Sequence, residues 1–277
     1  METTNLVIID PQNDFCDPKG TLYVPGAEDD MQRLADFLNG SRGDLIKHIS
    51  VTLDSHHYVD IAHAPFWVDS AGKNPDPMTI ITHDQVMAGD WRPKIPSMLK
   101  YVQEYTEKLA ANNRYPLMIW PTHCVVGTWG TQIHPVLEEA LAAWSIKHTR
   151  NIDYVAKGNN PLTEHYSAVK ADVPDPRDPT TNLNVNFITR HESADNVLVA
   201  GEASSHCVLY TVQDMVDEFG DANIAKLIML TDAMSPVQAP GIDFPQIAKD
   251  FQESMKARGL RTATTTDWMN SKTLGAK

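Results

Sequence analysis

A cysteine stands just past a run of small polar residues in "GEASSHCVLYTVQDM", Gly201 to Met215. The preceding "NVLVA", Asn196 to Ala200, is apolar and of strand length, whereas Val208, Thr211, Val212, Met215 and Val216 recur at helical spacing. Cys207 therefore falls at a strand-to-helix turn. The positive end of a helix dipole favours thiolate there, which suits a nucleophile; the alternative is an inert, buried thiol. A second stretch, "DSHH" (Asp54 to His57), places a carboxylate two residues before an imidazole, at the end of another apolar run. Mixed oxygen and nitrogen donors of this kind suit Zn²⁺, Mn²⁺ or Fe²⁺, with His63 and His123 joining if the fold brings them close. Ordinary surface-loop residues are the alternative.

These residues need elements to position them. Short runs rich in Val, Ile and Leu recur: "NLVIID" ends at Asp10, "HISVTLD" at Asp54 and "YPLMIWPTH" at His123. Further on, "SIKHTRNIDYV" leads to Lys157, "NVLVAGEA" to Cys207, and "KLIMLTDAMS" passes through Asp232. Such runs fit strands of a parallel sheet buried on both faces. Helical patterns lie between them, over Glu28 to Asn39, His134 to Trp144, Cys207 to about Phe219 and Phe244 to Arg258, and "LRTATTT" reads as a last short strand. The alternation predicts a doubly wound α/β fold, in which ligands bind outside the carboxyl ends of the strands. Asp10, Asp54, His123 and Cys207 all fall at or just past such ends.

Two segments read as additions to a minimal sheet. Ala64 to Asn113 holds a Pro- and Gly-punctuated loop. A helix follows over about Ser97 to Ala111, with Met98, Tyr101, Val102, Tyr105 and Leu109 on one side, and its exposed aromatics suggest more than a monomer. Ala171 to Arg190 carries the Pro- and Asp-rich "DVPDPRDPTTN". Nothing resembles a linker, so residues 1–277 are expected to form a single domain with these two insertions. The net charge of −13 speaks against a nucleic-acid partner, which needs a basic face. Cys16, Cys124 and Cys207 do not make a disulfide framework, and no apolar run approaches the ~20 residues of a membrane span. The N-terminus enters a strand directly, without a signal-peptide pattern. The expectation is a soluble, cytoplasmic protein with a small-molecule substrate and no membrane partner.

Four stretches then fall in a telling order: "IIDPQNDFC" (Ile8 to Cys16), "IWPTHCVVGTWGTQIHP" (Ile119 to Pro135), "AKGNNPLTEHYSA" (Ala156 to Ala168) and "GEASSHCV" (Gly201 to Val208). With Asp54-Ser55-His56 they resemble the nicotinamidase/pyrazinamidase branch of the isochorismatase-like cysteine hydrolases. The resemblance spans residue 5 to about residue 236, without the two additions. It implies a three-layer α/β/α domain with a six-stranded, mostly parallel sheet, commonly a homo-oligomer. It implies catalytic Asp10, Lys157 and Cys207. It also implies an oxyanion hole of backbone N–H groups from Ala203, Ser204 and Cys207, around a cis peptide. By the same likeness one divalent ion, Zn²⁺ first and Mn²⁺ or Fe²⁺ next, is held by Asp54, His56 and His123. His63 is the candidate fourth ligand, with His57 competing. Phe15, Trp120, Tyr166 and His206 match the walls of a pocket for a small heteroaromatic amide. The implied reaction turns nicotinamide into nicotinate and ammonia through a thioester, in NAD salvage.

The sequence departs from that pattern in three places. His57 replaces the proline usual after D-x-H, more than fifty residues separate the D-x-H loop from the W-P-x-H-C motif, and Glu202 stands where an apolar residue is usual. A carboxylate at 202 would repel an acidic substrate unless it is paired or turned away. The same chemistry on a ureido, carbamoyl or maleamate-like amide is the next reading, although such relatives generally lack the metal set. Isochorismatase chemistry has no use for a nucleophilic cysteine. A non-catalytic module would be expected to have lost Asp10, Lys157 or Cys207.

Overall fold

The computed structural model describes residues 2–112 and 114–271; Asn113, where the first expected addition ends, lies outside them. In chain order the main elements are β1 (Thr4–Ile9), α1 (Ala27–Asn39), β2 (Ile46–Asp54), α2 (Leu99–Ala111), α3 (Pro135–His148), β3 (Asp153–Lys157), α4 (Val185–Glu192), β4 (Asn196–Gly201), α5 (Cys207–Phe219), β5 (Leu227–Leu230), α6 (Phe244–Ala257) and β6 (Arg261–Ala263). The strands form one six-stranded sheet in the order β6-β5-β4-β1-β2-β3, with every neighbouring pair parallel. Every residue of β1 and β4 is buried, as the unbroken apolar runs require of central strands covered on both faces. The strand order reverses between β1 and β4. That is where a doubly wound sheet opens a crevice, and Asp10 and Cys207 leave the sheet there. Helix α1 packs against α3, and α4 against α5. Among the described residues, no helix is long and apolar enough to cross a membrane.

Three expectations change. "YPLMIWPTH" contributes only Leu117–Met118, paired antiparallel with Ile80–Ile81 outside the main sheet. Pro116 and Pro121 bracket that run and cannot donate to a ladder. The sixth strand is β6 instead.

Secondly, the segment Ala171–Arg190 is more than a loop, because it enters α4, the crossover from β3 to β4. Asn184 caps α4 by accepting from Phe187 N at 3.1 Å, and Phe187, Ile188 and His191 are buried.

Thirdly, the aromatic side of α2 faces inward. Tyr105 is 2% exposed, and the Tyr101 hydroxyl donates to Leu162 O at 2.7 Å. That side is therefore covered within the chain. With Ile61, Trp67, Ile81, Val102 and Ile119 it builds a second, smaller core beside the main one. This excursion starts and returns at one place, since Trp120 N donates to Ala62 O at 2.8 Å and His63 bridges Trp120.

Candidate active site

The turn after β4 is shaped by its backbone. Gly201 has φ 107°, and a Cβ there would lie 2.1 Å from Ile9 O, so only glycine fits. The Glu202–Ala203 peptide is cis, and Cys207 opens α5 four residues later. Asp10 leaves β1 with φ 43°; its N–H donates to Thr52 Oγ1, whose hydroxyl donates back to Asp10 Oδ1 at 2.5 Å. Lys157, the last residue of β3, reaches across β2. Its Nζ lies 2.8 Å from Asp10 Oδ2, 3.1 Å from Asp54 Oδ1 and 3.5 Å from Cys207 Sγ. The fold thus joins the three residues expected to react, from the ends of three strands.

Electrostatics set their protonation. Lys157 is 2% exposed; burial alone would discharge it, but Asp10 and Asp54 hold it charged, well above the usual lysine range. Burial raises the Asp10 carboxyl despite Lys157 beside it. Burial also pushes the Cys207 thiol well up, with Lys157 opposing and Asp10 and Asp54 reinforcing the rise. Burial thus favours the thiol, and Lys157 is the neighbour that favours thiolate.

The expected metal ligands converge next to this group. Donor atoms of His56, His63 and His123 all lie within 4.8 Å of one another. Asp54 Oδ2 is 3.1 Å from His56 Nε2 and 3.4 Å from His123 Nε2. The remaining ring nitrogens are oriented from behind: His56 Nδ1 meets Asp60 Oδ2 at 3.0 Å, and His63 Nδ1 meets the His57 carbonyl at 3.1 Å. This is the outer arrangement that metal-binding imidazoles require. Burial, then the His123 and His56 rings, pull the His63 pKa down to about 3, so it is the neutral imidazole that a cation binds. The donor set fits a divalent ion with His63 as its fourth member. His57 offers only its carbonyl, to His63, and its side chain is exposed.

The two longest motifs exist to hold this cluster. Gln12 clasps Asp54 by both backbone groups, at 2.7 and 2.8 Å. Asn13 Nδ2 donates to Trp129 O, and the Asp14 carboxylate accepts Cys124 N at 2.7 Å, beside His123. Gly130 leaves room for that carboxylate, as a Cβ there would lie 1.9 Å from Asp14 Oδ2. Beside them lies a small cavity, partly open to solvent. Phe15, Trp120, Tyr166 and His206 all line it, together with Asp54, His123 and Cys207. Trp120 Nε1 donates to the Tyr166 hydroxyl at 3.0 Å. His206 is held neutral by burial, with its pKa down at about 3, and its buried Nε2 has no partner among the described residues.

Of the three expected oxyanion donors, Ser204 is already committed: its N–H donates to Ser235 O at 2.8 Å. The N–H groups of Ala203 and Cys207 make no hydrogen bond among the described residues. Sequence reasoning also missed Glu164, Asp60, Gln12 and Thr52. Glu164 lines the cavity with a buried, unpartnered Oε2, and burial raises its pKa to about 8. Its place two residues before Tyr166 in "TEHYS" was the available signal.

The sheet order and the strand-end cluster give the isochorismatase-like fold. A solved isochorismatase-like hydrolase from Alkaliphilus metalliredigens matches with TM-score 0.53 at 16% identity, over 97% of this chain and 98% of that one. No family model matches the chain. Within that fold its curated relatives are nicotinamidases, which bears out the resemblance read from the motifs. The Escherichia coli nicotinamidase is 28% identical, over 95% of each chain, and the Saccharomyces cerevisiae nicotinamidase 26% identical, over 92% of this chain and 96% of its own. The solved yeast nicotinamidase superposes with TM-score 0.64 at 23% identity, covering 94% of this chain and 99% of that one.

Proposed function

We propose that this protein hydrolyses nicotinamide to nicotinate and ammonia, with Cys207 as nucleophile. The observation that carries the reading is the contact of Cys207, Lys157 and Asp10 at the end of an aromatic cavity that also holds the His56, His63, His123 and Asp54 donors. A flat heteroaromatic ring fits between Phe15, Trp120 and Tyr166, with its amide towards Cys207. Ser205 Oγ accepts from Val237 N at 3.1 Å and lies 2.8 Å from His206 Nδ1. Its hydroxyl donates to Nδ1, which leaves the imidazole proton on Nε2, aimed into the cavity as a donor to the substrate.

Asp10 takes the Cys207 proton as sulfur attacks the amide carbon, and the carbonyl electron pair moves onto oxygen. The N–H groups of Ala203 and Cys207 stabilise that oxyanion. The C–N bond then breaks, and Asp10 returns the proton to the departing nitrogen as ammonia. Water, deprotonated by Asp10, attacks the thioester carbon; the C–S bond breaks, nicotinate leaves and the thiol is restored. Lys157 keeps Asp10 ionised and stabilises negative charge on sulfur. Asp54, His56, His63 and His123 would hold one divalent ion, for which zinc, manganese and iron all suit the ligand types, and its Lewis acidity would supply an anchor for the ring nitrogen. We place the enzyme inside the cell, in recycling of the nicotinamide that NAD-consuming reactions release.

The test is ammonia release from nicotinamide by purified protein, with metal content measured on the same sample. Rapid release with about one ion per chain supports the reading. A bound ion without release from nicotinamide points to another small amide.

A further inference from the structure

Glu202 is fully buried immediately before the cis peptide, at a position where an apolar side chain would be the simpler choice. It is turned away from the substrate cavity, towards α1 and the turn after β5. Its Oε2 accepts Ser235 N at 3.1 Å. Its Oε1 is buried and meets no donor among the described residues. The neighbouring polar group is the carboxylate of Asp30, which is 3% exposed; Asp30 Oδ1 accepts from Arg33 at 2.9 Å and Oδ2 from Ser235 Oγ at 2.5 Å. Two carboxyl groups buried side by side cannot both ionise, and a proton on Glu202 turns the unpartnered Oε1 into a donor to Asp30. Burial, with Asp30 reinforcing it, does push the Glu202 carboxyl well above the usual range.

We propose, on the amide-hydrolase reading above, that Glu202 is a positioning residue: its protonated carboxyl bridges Asp30 and the Ser235 turn and thereby aligns the oxyanion donors. Ser235 is the relay. Its N–H is held by Glu202, its hydroxyl by Asp30, and its carbonyl accepts Ser204 N. Ser204 lies between the two donor residues, Ala203 and Cys207. Gly26 makes room, since a Cβ there would lie 2.7 Å from Ser235 Oγ. An apolar residue at 202 would fill the volume but leave Ser235 N without an acceptor. The groups facing Glu202 are Asp30, with Arg33 behind it, the Ser235 turn and the buried thiol of Cys16.

The experiment compares Glu202→Gln and Glu202→Leu with the parent enzyme in kcat, KM, metal content and melting temperature across pH. Glutamine keeps an acceptor for Ser235 and a donor for Asp30, so Glu202→Gln should stay within about threefold of parent kcat and decline less at high pH. Glu202→Leu should lose about 10- to 100-fold in kcat, the scale of one misaligned oxyanion donor, with KM within about threefold. Amide hydrogen exchange at Ser204 and Ser235 should accelerate in Glu202→Leu and not in Glu202→Gln. Parent-like kcat in Glu202→Leu, equal loss in both variants, or a loss that vanishes on normalising to folded, metal-loaded enzyme would overturn the proposal. Exchange needs no turnover. A parent enzyme inert on nicotinamide removes the substrate reading, while unchanged exchange removes the clamp.

Discussion

Lys157→Met is the sharpest perturbation of the site. The ammonium is 2% exposed and serves two carboxylates, at 2.8 and 3.1 Å. Methionine keeps most of the stem volume, so the loss is mainly of charge. Removing one partner of a buried ion pair costs about 3–5 kcal/mol. Burial already raises the Asp10 carboxyl with Lys157 present, so without it Asp10 takes up a proton. That keeps the loss inside the single-pair range. At about 2–4 °C per kcal/mol for a chain of this size, the melting temperature should fall by about 6–20 °C. Thermal unfolding followed by circular dichroism, with and without added divalent metal, reads this directly. Asp10→Asn should be less damaging in the Lys157→Met background than alone, because the Asp10–Lys157 pair is then already lost. A melting temperature within 2 °C of the parent (about one-half to 1 kcal/mol), or strictly additive effects, would refute the argument.

Other outcomes follow from the same geometry. Cys207→Ala should abolish ammonia release while metal content and folding are retained; residual turnover at the parent rate removes Cys207 as nucleophile. His63→Ala should lower bound metal, measured by atomic emission, whereas His57→Ala should not. The reverse pattern would exchange their roles. His191 is fully buried, and burial, with His48 and Arg190 facing it, draws its pKa down to about 3. An unfolded histidine titrates near 6.5, so the neutral form is required in the fold. Stability is therefore full above about 6.5 and falls with pH below it, by up to about 1.4 kcal/mol per unit. His191→Gln should flatten that slope in urea titrations at pH 4.5 to 7; an unchanged slope assigns acid sensitivity to other groups.

Much of the site was legible because its residues sit at the ends of apolar runs, and a parallel sheet aligns those ends. Asp10, Asp54, Lys157 and Cys207 follow from that rule together with the motif resemblance. His123 reaches the cluster by another route: its strand is nearly absent, and Asp14, through Cys124 N, fixes it instead. Helix α4 escaped notice because its buried face is only Phe187, Ile188 and His191, too short a pattern to separate from a loop. Glu164, Asp60 and Thr52 act through contacts made across the fold, which no local spacing encodes. Glu202 looked like a defect beside the oxyanion region, and only the placement of Asp30 and Ser235 shows that its carboxyl is turned away and paired.

The excursion between His63 and His123 leaves and re-enters at the Ala62–Trp120 hydrogen bond, and its apolar side chains largely satisfy one another in a core of their own. Both of those histidines stand at its root. Length gained or lost farther out therefore leaves the spacing of the two imidazoles unchanged. The segment behaves as a cul-de-sac in the chain path: its outer reach is free to drift while the geometry at its root stays intact.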